Sequence, residues 1–157
     1  MTKPVNPDTF RAVMGRFASG VTVVTTEHGG SVHGMTANAF LSVSLEPALV
    51  LVSVDHRAKM YELLEQTGSY GVSMLSAEQQ THSDHFAGRE TGLEPEFEVL
   101  GGVPVLRGAL AQLTTRVVDA HRAGDHTLFI GEVQQLVYAE GAPLLYFQGK
   151  YGRLSTS

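Results

Sequence analysis

Two short segments, far apart in the chain, carry side chains that could bind a ligand or take part in a reaction. The first, GMTANAFLSVS at residues 34–44, combines small hydroxyls and an amide with backbone groups that are prone to exposure. The second, GDHTLFIGEV at residues 124–133, places a Gly-Asp-His turn directly before an alternating apolar run. A buried core segment would not carry the polar groups of residues 34–44, because each buried polar group needs a hydrogen-bond partner. We therefore predict that residues 34–44 form a loop that cradles a polar, planar, phosphorylated ligand.

Thr36, Ala37 and Asn38 are the strongest binding candidates in the first segment. Backbone N–H groups and an Asn amide in an irregular loop can pair with the row of carbonyl oxygens and nitrogens along the edge of a flavin ring. A polar turn with Asn in a left-handed conformation fits the same residues about as well. Both interpretations stay open on this segment alone.

A basic pair lies at the start of a predicted helix, in the run DHRAK at residues 55–59. The free N–H groups and the dipole of a helix N-terminus attract phosphate. Arg57 and Lys59 would add positive charge there, which opposes the dipole unless an anion binds. The pair predicts a phosphate site, and two solvated basic residues are the alternative.

His126 is the one candidate catalytic residue. It ends the Gly-Asp-His turn and begins a predicted strand, which is a rigid position. From there it could donate a hydrogen bond to an amide carbonyl, or interact with a reduced nicotinamide beside a flavin. A surface histidine in a turn is the alternative.

The run HSDHFAG at residues 82–88 offers a possible metal site and a possible wall. His82 and His85 could share a helix face, but no third and fourth ligand and no HExxH pattern are evident. We therefore predict no metal and a solvated helix face. Phe86, Ala87 and Gly88 would end this helix with a close backbone approach, and could equally wall a ligand site. No GxGxxG, P-loop or GxSxG pattern occurs, which argues against a Rossmann nicotinamide domain.

Composition narrows the class of protein. The 157 residues suit one domain over the whole chain, residues 1–157, with 43% hydrophobic and 17% charged residues. A net charge of -5 argues against nucleic acid as a partner. The chain has no cysteine, which excludes disulfides and thiolate chemistry. No apolar run approaches the ~20 residues that span a bilayer, and the N-terminus lacks the apolar core of a signal peptide. We expect a soluble, cytoplasmic protein without membrane contact.

The elements that must position these residues are mostly strands. Helical patterns are predicted from Asn6 to Gly20, at residues 59–67, and from a capping box at residues 76–79 to about Phe86. Residues 88–102 are predicted to be an exposed loop. Predicted strands cover residues 21–26, 31–35, 48–54, 70–75, 109–121, 127–139 and 143–147. Successive hairpins of this kind predict a mainly β fold, an antiparallel barrel with short helices.

Five motifs, in this order and spacing, carry a resemblance to a known family. They are RFASGVTVVTT (16–26), GMTANAFLSVSLEP (34–47), HFAG (85–88), GDHTLFIGEV (124–133) and YFQGKYGRL (146–154). Over nearly its whole length the chain resembles the short-chain flavin reductases, the reductase partners of two-component flavin monooxygenases. The resemblance implies an FMN-binding split β-barrel, a homodimer with FMN or FAD near the subunit interface. It implies flavin reduction by NADH or NADPH, often with release of the reduced flavin to a separate oxygenase.

The resemblance also implies a set of site residues. Thr36, Ala37, Asn38 and Ser42 match the segment that faces the flavin ring, and Ser53 and Val54 match a strand end beneath it. Arg57, Ala58 and Lys59 match the phosphate region, although many relatives have Ser or Thr there. Phe86, Ala87 and Gly88 match a wall, His126 matches a histidine near the nicotinamide, and Tyr151 matches an aromatic residue that closes the site.

Three other functions stay open on the sequence. The first is a flavoprotein with fixed FMN that acts on another substrate, and the second is a flavin-binding electron carrier without turnover. The third, which the residues support least, is a metal-dependent hydrolase that uses His82, Asp84 and His85.

Overall fold

Residues 2–155, the part of the computed structural model that is described, form three α-helices and twelve β-strands. The helices are α1 Pro7–Met14, α2 Lys59–Thr67 and α3 Gln80–Phe86. The strands are β1 Ser19–Gly20, β2 Thr22–His28, β3 Ser31–Ala37, β4 Phe40–Leu45, β5 Ala48–Asp55, β6 Ser69–Met74, β7 Phe97–Leu100, β8 Val103–Leu106, β9 Ala111–Ala123, β10 His126–Tyr138, β11 Leu145–Phe147 and β12 Lys150–Gly152. The predicted mainly β fold with short helices is confirmed. None of these helices is long and apolar enough to cross a membrane.

A seven-stranded antiparallel sheet, in the order β3-β2-β6-β9-β10-β5-β4, forms the body of the molecule. Its two edge strands, β3 and β4, are consecutive in the chain, with only Asn38 and Ala39 between them. Because two residues span only about 7 Å, the sheet must curl until its edges approach each other at this link. The link is tied to β5 by a hydrogen bond from Ser53 N–H to the Ala39 carbonyl, at 3.0 Å.

Strand β2 is buried on both of its faces, which explains its β-branched sequence. Successive side chains point to opposite faces of a strand. Val24 packs into a cluster with Tyr70, Phe129 and the buried side of α2. Val23, on the other face, packs into a second cluster that includes Leu106 and Leu144. The start of β2 is therefore held between two layers, and the end of β3 pairs with it.

The predicted helices have mixed outcomes. Helix α2 has the predicted bounds, and Gly68 ends it in the left-handed conformation with φ 67°. Helix α1 begins after the Asn6 cap as predicted but ends at Met14, not at Gly20. Only one hydrogen bond of the predicted capping box forms, in which Gln79 Oε1 accepts the Ser76 N–H at 3.0 Å. It lies in a turn before α3, which begins at Gln80.

Two predicted loops contain strands. Residues 34–44 were expected to be a loop, but β3 continues to Ala37 and β4 begins at Phe40, because β2 and β5 offer partners for both strands. Only Asn38 and Ala39 are outside the ladders. Residues 88–102 contain β7, which pairs with β8.

A C-terminal hairpin, β11 with β12, was only half predicted. The sequence predicts one last strand at residues 143–147, whereas the chain turns at Gln148 and Gly149 and returns as β12. Its first arm pairs with β1, so that Ser19 lies opposite Tyr146 and Tyr146 lies opposite Tyr151. The hairpin thus brings two tyrosines beside the start of β2.

Candidate functional site

A cavity of about 220 Å³ lies where β3, the end of α3 and the C-terminal hairpin meet. We call it the first cavity. Its lining residues are Val21, Thr36, Ala37, Asn38, Ser83, Ala87, Arg89, Tyr146 and Tyr151. Of the residues that the sequence predicts, it brings together the run 36–38, Ala87 and Tyr151.

Partly buried hydrogen bonds hold the wall of the first cavity. Thr36 Oγ1 donates to the carbonyl of Ser83 at 2.6 Å, and Ser83 is fully buried. Tyr151 Oη lies 2.6 Å from Ser83 Oγ and donates to Asp84 Oδ1 at 3.1 Å. Burial raises the pKa of Tyr151, so the phenol stays protonated. This chain of contacts joins β3, α3 and β12, which are far apart in sequence.

Phe86 anchors α3 against β3. A Cβ atom at Gly34 would lie 2.6 Å from the Phe86 ring, so that only glycine permits this contact. The same ring meets His85 and Phe97 edge-on, with centroids 4.9 and 6.0 Å apart. Phe86, predicted as a wall of the ligand site, packs on these residues, and its neighbour Ala87 lines the first cavity.

A second cavity of about 240 Å³ adjoins the first, and the two share Val21 and Asn38. The second cavity is mostly apolar, with Phe40 and Leu144 among its lining residues. Ser19 Oγ is buried beside it without a hydrogen-bond partner among the described residues. An apolar space next to one lined by hydroxyls and an amide suits a ring system with one apolar and one polar side.

The donors at Asn38 and β3 also fit such a ring. Because β3 is an edge strand, every second N–H and C=O of its backbone points away from β2. The Thr36 hydroxyl proton is committed to Ser83, and the Ala37 carbonyl accepts from Thr22 Oγ1 at 2.6 Å. Asn38 is exposed, and no hydrogen bond of its side chain is found within residues 2–155. The residues present therefore fit a flavin, with the edge backbone and the Asn38 amide as the groups that would meet it.

A charged cluster lies at the C-terminal end of β5, two residues beyond Ser53, where the strand meets the turn before β10. We call Asp55, Arg57, Asp125 and His126 the turn cluster. His126 lies opposite Asp55 in the ladder, and its Nδ1 donates to Asp125 Oδ1 at 2.7 Å. Arg57 binds Asp55 through two N–H groups, at 2.9 and 3.2 Å. These hydrogen bonds lower the pKa of both carboxyl groups, of Asp55 through Arg57 and of Asp125 through His126.

Within residues 2–155, three side chains of the turn cluster are close enough together to bind one metal ion. One ligand atom each of Asp55, Asp125 and His126 lies within 4.8 Å of the others. The guanidinium of Arg57 already binds Asp55, and His126 binds Asp125. The group is therefore explained as an ion-pair network. His82, Asp84 and His85 do not come together in this way.

The other predicted site residues lie outside both cavities. Ser42 is exposed on β4, Ser53 and Val54 lie on β5, Ala58 caps α2, and Gly88 is exposed with φ 94°. Val54 is fully buried in the core, so its side chain has no access to a ligand. Lys59 lines a separate cavity of about 160 Å³ beside His33 and Met35.

Four lining residues of the first cavity were missed: Val21, Ser83, Arg89 and Tyr146. The predicted solvated face of α3 is only half exposed, since His82 and His85 are half-buried and the buried His82 Nδ1 has no partner among the described atoms. Burial lowers the pKa of His82. Arg89 directly follows the HFAG motif, and Tyr146 begins the YFQGKYGRL motif. These positions could have identified both residues from the sequence.

Comparison with known proteins decides the family. The sequence pattern of the family described as "Flavin reductase like domain" matches residues 14–155. The chain belongs to this family. The predicted resemblance is confirmed, and with it the enzyme class, flavin reductase.

Flavin reductases of this family resemble the chain over almost its full length. An NADH-dependent flavin reductase from Rhodococcus sp is 52% identical, over 96% of this chain and 88% of the relative. The reductase component of a 4-hydroxyphenylacetate 3-monooxygenase from Thermus thermophilus is 43% identical, over 94% and 96%. The structure of the flavin reductase PheA2 in its native state superposes with a TM-score of 0.95, at 53% identity, over 97% of this chain and 100% of the other.

Proposed function

We propose that this protein reduces FMN or FAD with NADH or NADPH and supplies the reduced flavin to a separate flavin-dependent monooxygenase. The observation that carries this function is the first cavity, where Asn38, Ala87 and Tyr151 meet although they come from three distant motifs. The activity of the Rhodococcus relative supports the reaction. The Thermus thermophilus relative, which is the reductase component of a monooxygenase, supports the partner.

The flavin, when bound, supplies the redox chemistry by accepting hydride at its N5 atom. The protein orients the ring. Edge backbone groups of residues 36–38 and the Asn38 amide hold its polar side, and the apolar second cavity receives the other side. Ala87 leaves room for the ring because it is small, and Tyr151 closes the cavity from the hairpin.

His126 orients the nicotinamide. Its Nδ1 hydrogen bond to Asp125 fixes the ring, so that Nε2 is the nitrogen left for a ligand. Its side chain is 38% exposed, which leaves Nε2 open to an incoming carboxamide. The role needs no proton transfer by the protein, because hydride moves directly between the two stacked rings.

Several site assignments remain proposals. Ser53 and Val54 would contribute backbone groups beneath the ring, and Arg57, Ala58 and Lys59 would lie near a phosphate. Ser42, Phe86 and Gly88 would act indirectly, through the strand, packing and turn that place their neighbours. A cytoplasmic location and a single domain over the whole chain also remain predictions.

We further propose that the sheet is a split barrel and that the protein is a homodimer. The approach of β3 and β4 at Asn38 supports barrel closure. Helix α1 has no buried residue although it carries Phe10, Val13 and Met14, and nearby Phe17 is 78% exposed. Exposed apolar patches of this kind mark association surfaces.

Sedimentation would test the dimer. We expect twice the 16.9 kDa of the chain for the wild type, and a shift towards monomer in Phe10→Asp. Lys3→Asp at the exposed N-terminus is the control for added negative charge. A monomeric wild type would contradict the dimer and leave the reductase function unaffected.

The reductase function is tested by NADH and NADPH oxidation with FMN, FAD and riboflavin added in turn. We expect turnover that depends on added flavin and is faster than the flavin-only reaction. A protein that binds flavin without turnover would be an electron carrier. If no combination of flavin and nicotinamide gave turnover, the proposal would be contradicted.

A further inference from the structure

Arg89 is the charged side chain that lines the first cavity. It follows α3 by three residues, and its backbone N–H donates to the Asp84 carbonyl at 3.1 Å. This hydrogen bond holds the main chain close to the helix end. Arg89 is thereby held beside the residues that would bind the polar side of the ring.

The guanidinium of Arg89 is only loosely paired. Its Nη1 lies 3.7 Å from Asp84 Oδ1, beyond hydrogen-bond distance, and the side chain is 74% exposed. Asp84 Oδ1 already accepts the hydroxyl of Tyr151 at 3.1 Å. Arg89 therefore keeps N–H donors available for a planar or tetrahedral anion.

The other cations near the site differ from Arg89. Arg57 makes two charge-assisted hydrogen bonds to Asp55, and Asp125 also lies near it. Lys59 lines the separate cavity with His33. The positive charge at the start of α2 is thus partly neutralised, whereas the first cavity has a cation with free donors.

We propose that Arg89 binds a phosphate group of the nucleotide whose ring edge pairs with residues 36–38. The inference rests on the proposed function and adds a specificity-determining residue to it. The chemistry recognised is a phosphate ester or diphosphate, which a flavin nucleotide and a nicotinamide dinucleotide both carry. We expect the flavin nucleotide, because Asn38 lines the same cavity as Arg89.

The test compares Arg89→Ala with Arg107→Ala. Arg107 is a matched control, since it also makes one long ion pair, to Glu96 at 3.6 Å, and does not line the first cavity. FMN and riboflavin, which lacks the phosphate, are titrated into each variant by flavin fluorescence. Thermal unfolding of each variant checks that the fold is retained.

Arg89→Ala should lower the affinity for FMN about tenfold, because one charge-assisted hydrogen-bonded pair is lost. Riboflavin affinity should stay unchanged, and Arg89→Lys should keep most of the preference for FMN. The salt dependence of FMN binding should also become shallower in Arg89→Ala, since screening acts on the lost charge. Arg107→Ala should match the wild type.

A second arm distinguishes the source of the phosphate. With riboflavin as acceptor, the KM for NADH is measured in Arg89→Ala and in the control. A raised KM with unchanged FMN affinity would support the phosphate role and assign it to the nicotinamide dinucleotide. Unchanged FMN affinity together with unchanged KM would overturn the inference, as would equal losses for FMN and riboflavin.

These outcomes differ from a failure of the proposed function. If the wild type binds neither flavin and oxidises no NADH, the reductase function itself is wrong, and the inference falls with it. If the wild type is active and Arg89→Ala behaves as the wild type does, only the inference is overturned.

Discussion

The first cavity and the turn cluster are built in opposite ways. The wall of the cavity depends on partly buried contacts between distant elements, such as Thr36 with Ser83 and Ser83 with Tyr151. The turn cluster depends on exposed contacts between sequence neighbours, Arg57 with Asp55 and His126 with Asp125. Changes in the wall should therefore alter stability and flavin binding together. Changes in the turn should alter kinetics and leave the fold intact.

The largest effect is expected where Phe86 crosses Gly34. Gly34→Ala places a Cβ atom 2.6 Å from a ring that is also packed on Phe97, so the ring must move. We expect about 1–3 kcal/mol of lost stability, and weaker FMN binding because Ala87 moves with α3. Chemical denaturation and FMN titration measure both.

Gly152→Ala is the control for this change, because a Cβ atom there would meet no atom within 4 Å and Gly152 lines neither cavity. Its stability should stay near that of the wild type. A stable Gly34→Ala variant with reduced FMN affinity would break the proposed coupling between the wall and the fold.

His126→Ala tests the turn cluster. Loss of one hydrogen bond to the nicotinamide should lower kcat/KM about tenfold to a hundredfold, while FMN affinity and unfolding stay unchanged. His121→Ala is the matched control, since His121 is also an exposed histidine paired with a neighbouring carboxylate, Asp119, at 3.0 Å. Equal kinetics in the two variants would remove His126 from the catalytic role.

Tyr151→Phe should have a smaller effect on the wall. It removes the hydrogen bonds to Ser83 and Asp84 but keeps the ring, at a cost of about 1–2 kcal/mol in stability. FMN should bind a few-fold more weakly. Tyr138→Phe, at an 81% exposed tyrosine, is the control for loss of a hydroxyl. The same unfolding midpoint in both variants would show that the hydrogen bonds of Tyr151 contribute nothing to stability.

The smallest effect is expected for Arg57→Ala. Because Arg57 is exposed and paired with Asp55, its loss should lower the affinity for FMN by about threefold or less. Arg116→Ala, which also breaks an exposed ion pair, is the control. A loss above about tenfold that is specific to FMN over riboflavin would place the phosphate at the start of α2, as the sequence predicts.

The sequence predicted most of what local patterns control. Helix α2 has an apolar spacing and a C-terminal Gly68 that agree with each other, and its bounds were correct. The motifs also identified the family. The link at Asn38 was correctly singled out, but the strands beside it were not, because the loop interpretation ignored the partners that β2 and β5 provide.

Contacts between distant elements could not be predicted from local patterns. Nothing in the run HSDH shows that Ser83 faces the core, since this depends on how α3 docks on β3 through Phe86 and Gly34. The distribution of charge was missed for the same reason. Arg57 and Arg89 look alike in sequence, and only the fold shows that one is paired with Asp55 and that the other lines the cavity.

The most direct test is a crystal structure of the protein soaked with FMN. The account predicts density for the ring at the junction of the two cavities, beside Asn38, with Ala87 and Tyr151 in contact with the ligand. It also predicts that the residues of the turn cluster keep their positions. Density for the ring elsewhere on the protein, with both cavities left empty at saturating FMN, would contradict the account.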